Sequence, residues 1–552
     1  MPKSLFTFFL FLLFLAVQTT VLQRCATPTA PTGGPPDTIG PRLVLEESTP
    51  NFQTNFRPEE IVLTFDEWVN IDSKQPILIS PPLELGEDNQ PQLRRRSLVI
   101  NLEGMELRDS VTYVVNIDAA IKDLNEGNPT ENLRFVFATG PVLDSASVSG
   151  TLASDYSGEP LENATFTLFS NLADTAVTTE NPTYFAQTDE DGRFTVYNVR
   201  PGVYRAVALQ RNPSATNYFF DLKGYAQPQA AGFVDSLITV TDGSNRVGTI
   251  RISPILRPVR VNAVDTSING AVRLTMNQKA ELVDVGYAGV YERRNEIDTL
   301  VLFYRNPEAD TLFIGRNGVS SDTVVLDGQA VTGTRPFRVR TGPASRVFTG
   351  RGVQILFDRP LQLLDTSRVV LLRDTFPEPV AFRYVIDSAD AGVLTLESGY
   401  QVDFRYAVTL LPGALTDWNG NTNQDTIRQR FIADNPENYG TLTLTIQNLI
   451  PSENYILRLL KKDEIMVATF RYIEARFEYQ AIYSGLTPGE YTAELLYDSN
   501  KNRRYDSGDF LFGLQPEEVR RFDIEPLRAN WEVEKTIVVD FDDPNSPEVE
   551  EN

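Results

Sequence analysis

Ile61-Val62-Leu63-Thr64-Phe65-Asp66 returns about 290 residues further along as Val353-Gln354-Ile355-Leu356-Phe357-Asp358. Both runs are rich in β-branched and aromatic residues, which suit a pleated, half-buried strand. The echo continues. Tyr113 to Asn125 (YVVNIDAAIKDLN) reappears as Tyr406 to Asn419 (YAVTLLPGALTDWN) with one insertion, and each copy runs into a further β-like stretch, 133–138 and 430–433. A different unit then repeats: Val199-Arg200-Pro201-Gly202-Val203-Tyr204 matches Leu486-Thr487-Pro488-Gly489-Glu490-Tyr491. A common separation across these motifs means a duplicated pair of modules, one type followed by another.

Short strand-like runs bounded by turn residues fill the rest, and long helical periodicity is missing. The expected fold class is all-β, built of tandem β-sandwich modules. The repeat sets the layout: a first sandwich over 42–141, a second type over 145–255, a β-rich middle segment over 256–335, then second copies over 336–435 and 436–540. Residues 25–41 hold the Pro-, Thr- and Gly-rich stretch ATPTAPTGGPPDTIGP and read as a linker; 541–552 form an acidic tail.

Ahead of the linker, Leu5 to Val17 (LFTFFLFLLFLAV) is apolar apart from Thr7, with Lys3 before it. A bilayer-spanning helix needs about 20 apolar residues, so the run reads as an export signal over 1–24. Cys25, the only cysteine, follows it. Leu22-Gln23-Arg24-Cys25 resembles the lipobox of bacterial lipoproteins, although Arg24 stands where that pattern has a small residue. Lipidation is expected at Cys25, tethering the body to a membrane. With no second cysteine the fold rests on packing alone.

Composition narrows the chemistry. Histidine is absent, which removes Ser-His-Asp and Cys-His catalysis and imidazole-bound metals. Asp and Glu number 74 against 50 Lys and Arg, a net charge of −24. Phosphate backbones need clustered positive charge, so nucleic acid is not an expected partner. Oxygen ligands remain, and these suit calcium or magnesium.

Cys25, the run Pro31-Thr32-Gly33-Gly34-Pro35-Pro36-Asp37, the segment Leu63 to Glu67 (LTFDE) and Ile121 to Pro129 (IKDLNEGNP) together resemble the Ig-like-domain lipoproteins of Bacteroidota. The first module is similar to the Ig-like sandwich also found in bacterial surface-layer proteins. Val148-Ser149-Gly150, Pro160 to Ala164, Thr188 to Phe194 (TDEDGRF) and Pro201-Gly202-Val203-Tyr204 resemble the prealbumin-like, or carboxypeptidase-regulatory-like, sandwich. The resemblance implies an outer-membrane lipoprotein of the cell envelope and no settled activity. In that frame Gly192 takes positive φ in a tight turn, Phe194 points inward, and Tyr204 packs its ring while its hydroxyl reaches backbone.

One loop carries metal-ligand types. Counting Asp498 as position 1, oxygen side chains fall at Asp498, Asn500, Asn502, Asp506 and Asp509, with the Arg504 carbonyl at position 7. These are positions 1, 3, 5, 9, 12 and 7 of an EF-hand loop. Arg503 replaces the usual glycine, and Asp509 is shorter than the usual Glu. A weak structural calcium site with a Kd of about 0.1 mM is expected. The alternative is a hairpin loop whose Asx side chains bond their own backbone. The matching stretch of the first copy, 211–221, lacks the ligand set.

Carboxylate catalysis at Asp66-Glu67 or Asp358 is rejected, because the second copy has Arg359 in place of Glu67 and neighbouring strand residues face opposite ways. Asp66 is expected to end a strand by accepting backbone hydrogen bonds, and Trp68 and Trp418 to pack in sandwich cores. The resulting expectation is a non-catalytic, lipid-tethered rod of modules on the outer membrane, leaning to the periplasmic face. Its partners would be envelope proteins or glycans. Polysaccharide capture by exposed aromatics is the alternative function; a carboxylate hydrolase is the least favoured.

Overall fold

The computed structural model describes residues 37–539 apart from short internal stretches, the longest being 211–229 and 327–335. The leader, Cys25 and the region 211–221 lie outside the described residues. The fold is all-β: tandem β-sandwich modules, with helical structure confined to single turns such as Ala176–Thr179. Among the described residues no helix is long and apolar enough to cross a membrane.

Among the described residues five main cores, with two smaller clusters beside them, explain the modularity. The first packs Ile61, Leu63 and Phe65 of one sheet against Tyr113, Phe135 and Phe137 of another. Inward side chains alternate along Glu60–Thr64 because successive strand residues point to opposite faces. The second core is centred on Phe166 and Phe194, stacked 4.1 Å apart. The middle segment closes a core of its own between the sheet Val261–Asp265, Ala271–Met276, Thr299–Tyr304, Tyr291–Glu296 and the sheet Asp284–Gly286, Asp310–Arg316, Val319–Leu326. The fourth holds Val353, Ile355 and Phe357, and the fifth Leu442, Leu444 and Ile446. Each fully buried Leu, Ile or Phe contributes about 1.5–3 kcal/mol, and no sulfur bridge supplements them.

The internal repeat survives in atomic detail. Tyr113 stacks on Phe137 at 5.3 Å and its hydroxyl accepts from the Arg108 amide at 2.9 Å. Tyr406 stacks on Phe431 at 5.5 Å and accepts from the Gln401 amide at 2.7 Å. Tyr204 donates its hydroxyl to the Arg200 carbonyl and Tyr491 to that of Thr487, both at 2.7 Å. Gly192 has φ 70 with the Leu152 carbonyl where a Cβ would sit, and Phe194 is buried. In both the second and the last modules the first and last strands pair in parallel: Ala146–Ser154 with Ser244–Pro254, and Gly440–Gln447 with Glu532–Val538.

Two expectations need correction. Trp68 is 57% exposed and Trp418 half-buried, so neither fills a core. Trp68 follows the strand and lies beside the turn that Asp123 organises, where the Leu124 amide donates to the Trp68 carbonyl at 2.9 Å. The second correction concerns the rod. The last module packs on the second and the middle modules, with hydrogen bonds between residues more than 330 positions apart. Sequence motifs set module type but carry no mark of which distant modules touch.

Candidate functional site

The feature that gathers the most polar chemistry is the segment 498–517, which leaves the strand Tyr491–Tyr497 and returns at Val519–Asp523. Asp498 is fully buried. Its carboxylate accepts the Asn502 amide at 3.0 Å and the Arg503 amide at 2.9 Å. The Asn500 side chain accepts the Asn502 amide at 3.1 Å, and the Asn502 side chain the Arg504 amide at 3.0 Å. Arg503 has φ 65, a left-handed conformation at the position where glycine is usual. The loop backbone is thus wound around the side chains at positions 1, 3 and 5.

The remaining predicted ligands divide. Asp506 closes the same loop, receiving the Asn500 and Asn502 amide groups and Arg504 Nε at 3.2 Å. The Arg504 side chain leaves for the middle module, donating to the Val283 carbonyl at 2.8 Å and to Asp284. Asp509 turns out of the loop and pairs with Arg316 at 2.7 Å. The loop therefore gathers two carboxylates and two side-chain amides. Among the described residues no group of three or more acidic, His or Cys side chains is placed to hold a metal.

Glu517 was not singled out by the sequence. It accepts the Ser499 amide at 2.8 Å, the Ser499 hydroxyl at 3.0 Å and the Asp506 amide at 2.9 Å. Burial pushes its carboxyl up to about 7, and the nearby Asp506 carboxylate adds to the rise against those donors. Only its place next to Pro516, just after the loop, marks it in the sequence.

The same segment also reaches the second module. The Ser507 hydroxyl donates to Asp155 at 2.5 Å, Tyr505 meets Tyr156 edge-on at 5.0 Å, and Gln515 donates to the Phe233 carbonyl at 3.0 Å. On the adjoining strands lies Glu494, with no exposed surface. It takes the Tyr156 hydroxyl at 3.0 Å, Arg458 at 3.3 Å and Arg521 through two nitrogens at 3.1 and 2.8 Å. Arg521 also donates to the Ser157 carbonyl at 2.6 Å and lies over the Tyr156 ring at 4.9 Å. The planar, always-charged guanidinium makes such multi-acceptor contacts possible. The Tyr156 hydroxyl and the Ser157 carbonyl of the second module are thereby bound to the last module.

The rejected acid pair is also structural. Asp66 accepts the Arg42 amide at 2.8 Å, as expected of a strand-ending carboxylate. Burial, then the Asp123 and Asp66 carboxylates, hold Glu67 above the usual carboxylate range. In the second copy Arg359 is buried, bound to Asp358 at 3.0 Å and 3.7 Å from Asp417. No pair of free acids recurs there.

Residues 37–139 match the bacterial Ig-like domain family. That defines the first module as a bacterial Ig-like domain. No match was found among curated proteins. Among solved structures, the chain is similar to the major pilin subunit of Bacillus cereus, at 10% identity over 71% of this chain and 98% of the pilin (TM-score 0.13). A titin domain fragment gives 10% identity over 49% and 99% (TM-score 0.14). A tandem repeat from the extending region of a large adhesion protein gives 13% over 69% and 99% (TM-score 0.13).

Proposed function

We propose that the chain is a non-catalytic envelope scaffold, exported, tethered through lipid on Cys25, and locked as one body. The observation that supports it is the Glu494 junction, where the buried acid, held by two arginines of its own module, accepts the Tyr156 hydroxyl of the second module while Arg521 donates to the Ser157 carbonyl. A rigid body displays its loops at fixed distances, which suits a protein whose task is to hold others. The outer membrane, with its periplasmic face favoured, is the proposed location. Envelope proteins or glycans are the proposed partners, and the resemblance to Bacteroidota lipoproteins supports this. Replacing Cys25 with serine is expected to move the protein from the membrane fraction to the soluble fraction of cells. Retention of Cys25→Ser in membranes at the level of the parent would sink the tether.

We further propose that the 498–506 loop takes a weak structural calcium. The left-handed Arg503 and the amides drawn onto Asp498 support this, since they give the backbone the winding such loops use. Two carboxylates, two amide oxygens and the Arg504 carbonyl would be the ligands. At 1 mM calcium and a Kd of about 0.1 mM the gain is about 1.4 kcal/mol. The melting temperature of the full chain should rise by a few degrees with calcium and not with magnesium, and Asp498→Asn should remove that rise. Equal melting curves with calcium and with chelator would exclude the site.

A further inference from the structure

The first Ig-like module leaves one end bare. The strand Glu60–Thr64 starts near Arg57, which pairs with Asp109; the next residue, Ser110, gives its carbonyl to Arg200 of the second module. The strand runs away from that junction to the turn Asp66-Glu67-Trp68, and Val69–Ile71 leads back. The turn 123–128 lies against it, with the Leu124 amide on the Trp68 carbonyl. Asn128 donates to the Asp37 carbonyl at 2.9 Å, and the Asp37 carboxylate takes the Ile39 amide at 2.9 Å. Three large apolar side chains therefore stand in the open at this pole: Ile39 is 54% exposed, Trp68 57% and Leu124 58%. Such a set marks a contact surface.

In the duplicated module the matching turn is covered. Asn419, the counterpart of Asn125, packs so closely on Gly270 of the middle module that a Cβ there would overlap its side chain. Arg294 of the middle module donates to the Phe357 carbonyl at 3.0 Å and to Asp390 at 2.9 Å. Trp418, the counterpart of Leu124, is half-buried there.

The path of the chain points to a different cover for the first copy. The described residues begin at Asp37, within the bare pole. Cys25 lies twelve residues earlier, and twelve residues span at most about 40 Å. A body tethered at Cys25 is held with this pole next to the bilayer. Charge at the pole has both signs. Asp37, Asp66, Asp123 and Glu126 surround Glu67, while Arg96 donates to the Asp66 carbonyl at 3.0 Å and Lys122 pairs with Asp72 at 2.7 Å. This is no polybasic patch, so anionic headgroups are not what it selects. Tryptophan suits the membrane–water interface, where its ring meets hydrocarbon and its N–H stays wet.

We infer that Ile39, Trp68 and Leu124 form a lipid-contact surface that seats the first module in the headgroup region of the bilayer. The inference rests on the tether proposed above and goes beyond it, by fixing which end of the body faces the membrane.

The test places the full chain on vesicles of phosphatidylcholine and phosphatidylethanolamine in which part of the phosphatidylcholine is brominated in its acyl chains, a short-range quencher of tryptophan. The chain is held there by its own lipid or by a maleimide lipid on the Cys25 thiol, so the result stands whether or not cells acylate that cysteine. Release of Cys25→Ser from cell membranes reports the tether; quenching reports the pole. Brominated vesicles should remove part of the tryptophan emission. That loss should vanish in Trp68→Phe, which leaves Trp418 and Trp531, and shrink in Leu124→Ser. Both replaced side chains are exposed, so the fold stays intact. Adding phosphatidylglycerol should not increase the quenching. Vesicle-bound chain whose emission bromine leaves unchanged would overturn the proposal and assign the pole to a protein cover like that of the second copy. Quenching kept in Trp68→Phe, or quenching that grows with phosphatidylglycerol, would also overturn it.

Discussion

Glu494→Ala is expected to cost about 3 kcal/mol and to separate the last module from the second. Removing one partner of a buried ion pair leaves the other charges uncompensated, which costs about 3–5 kcal/mol. The low end applies because Arg458 and Arg521 keep 21% and 30% of their side-chain surface exposed and can recover some hydration. Tyr156 loses its acceptor at the same time. Chemical denaturation should show an earlier transition. Small-angle scattering below that transition should show an enlarged radius of gyration, as the module swings from Tyr156 and Ser157. Glu494→Gln keeps the shape and one acceptor and should lose less. A variant with an unchanged midpoint and unchanged dimensions would mean that the junction contributes little to the closed arrangement.

Phe194→Ala is expected to be of similar size but confined to one module. Phe194 is 2% exposed and stacked on Phe166 at 4.1 Å, in the core closed by Val148, Leu168 and Ile250. Deleting a buried phenylalanine costs about 3–5 kcal/mol through lost transfer and the cavity left behind. Hydrogen exchange should quicken in the strands Ala146–Ser154 and Thr165–Phe169, while the first Ig-like module keeps its protection. Uniform acceleration in every module would instead mean that the five cores unfold as one unit. Comparison with Glu494→Ala separates the two levels of stability, packing inside a module and the hydrogen bonds that join the last module to Tyr156 and Ser157.

The strands and turns within the modules were legible because their signals are local. Ile61, Leu63 and Phe65 alternate inward over five residues, and Gly192 and Tyr204 mark turns whose hydrogen bonds close within four residues. The loop at Asp498 was legible for the same reason, since its Asx residues bond amides up to five positions away. What failed was long-range. Asp509 reads as a ligand by spacing, yet its partner is Arg316 in another module. Trp68 reads as core by residue type, yet it sits where the strand has already ended. Glu494 gave no signal at all: a lone glutamate in an apolar strand looks like a solvated residue until Tyr156 arrives from 338 positions away.

The parallel pairing of first and last strands in the second and last modules has a mechanical consequence. The chain enters at one pole of the module and leaves at the other. A pull on the two ends therefore runs along the seam. In the last module the seven register pairs from Thr441 and Glu532 to Gln447 and Val538 would share the load together, in shear, rather than opening one after another like a zip. Each such module is a tension-bearing link, in which force between its two ends would fall on the backbone bonds of this seam together.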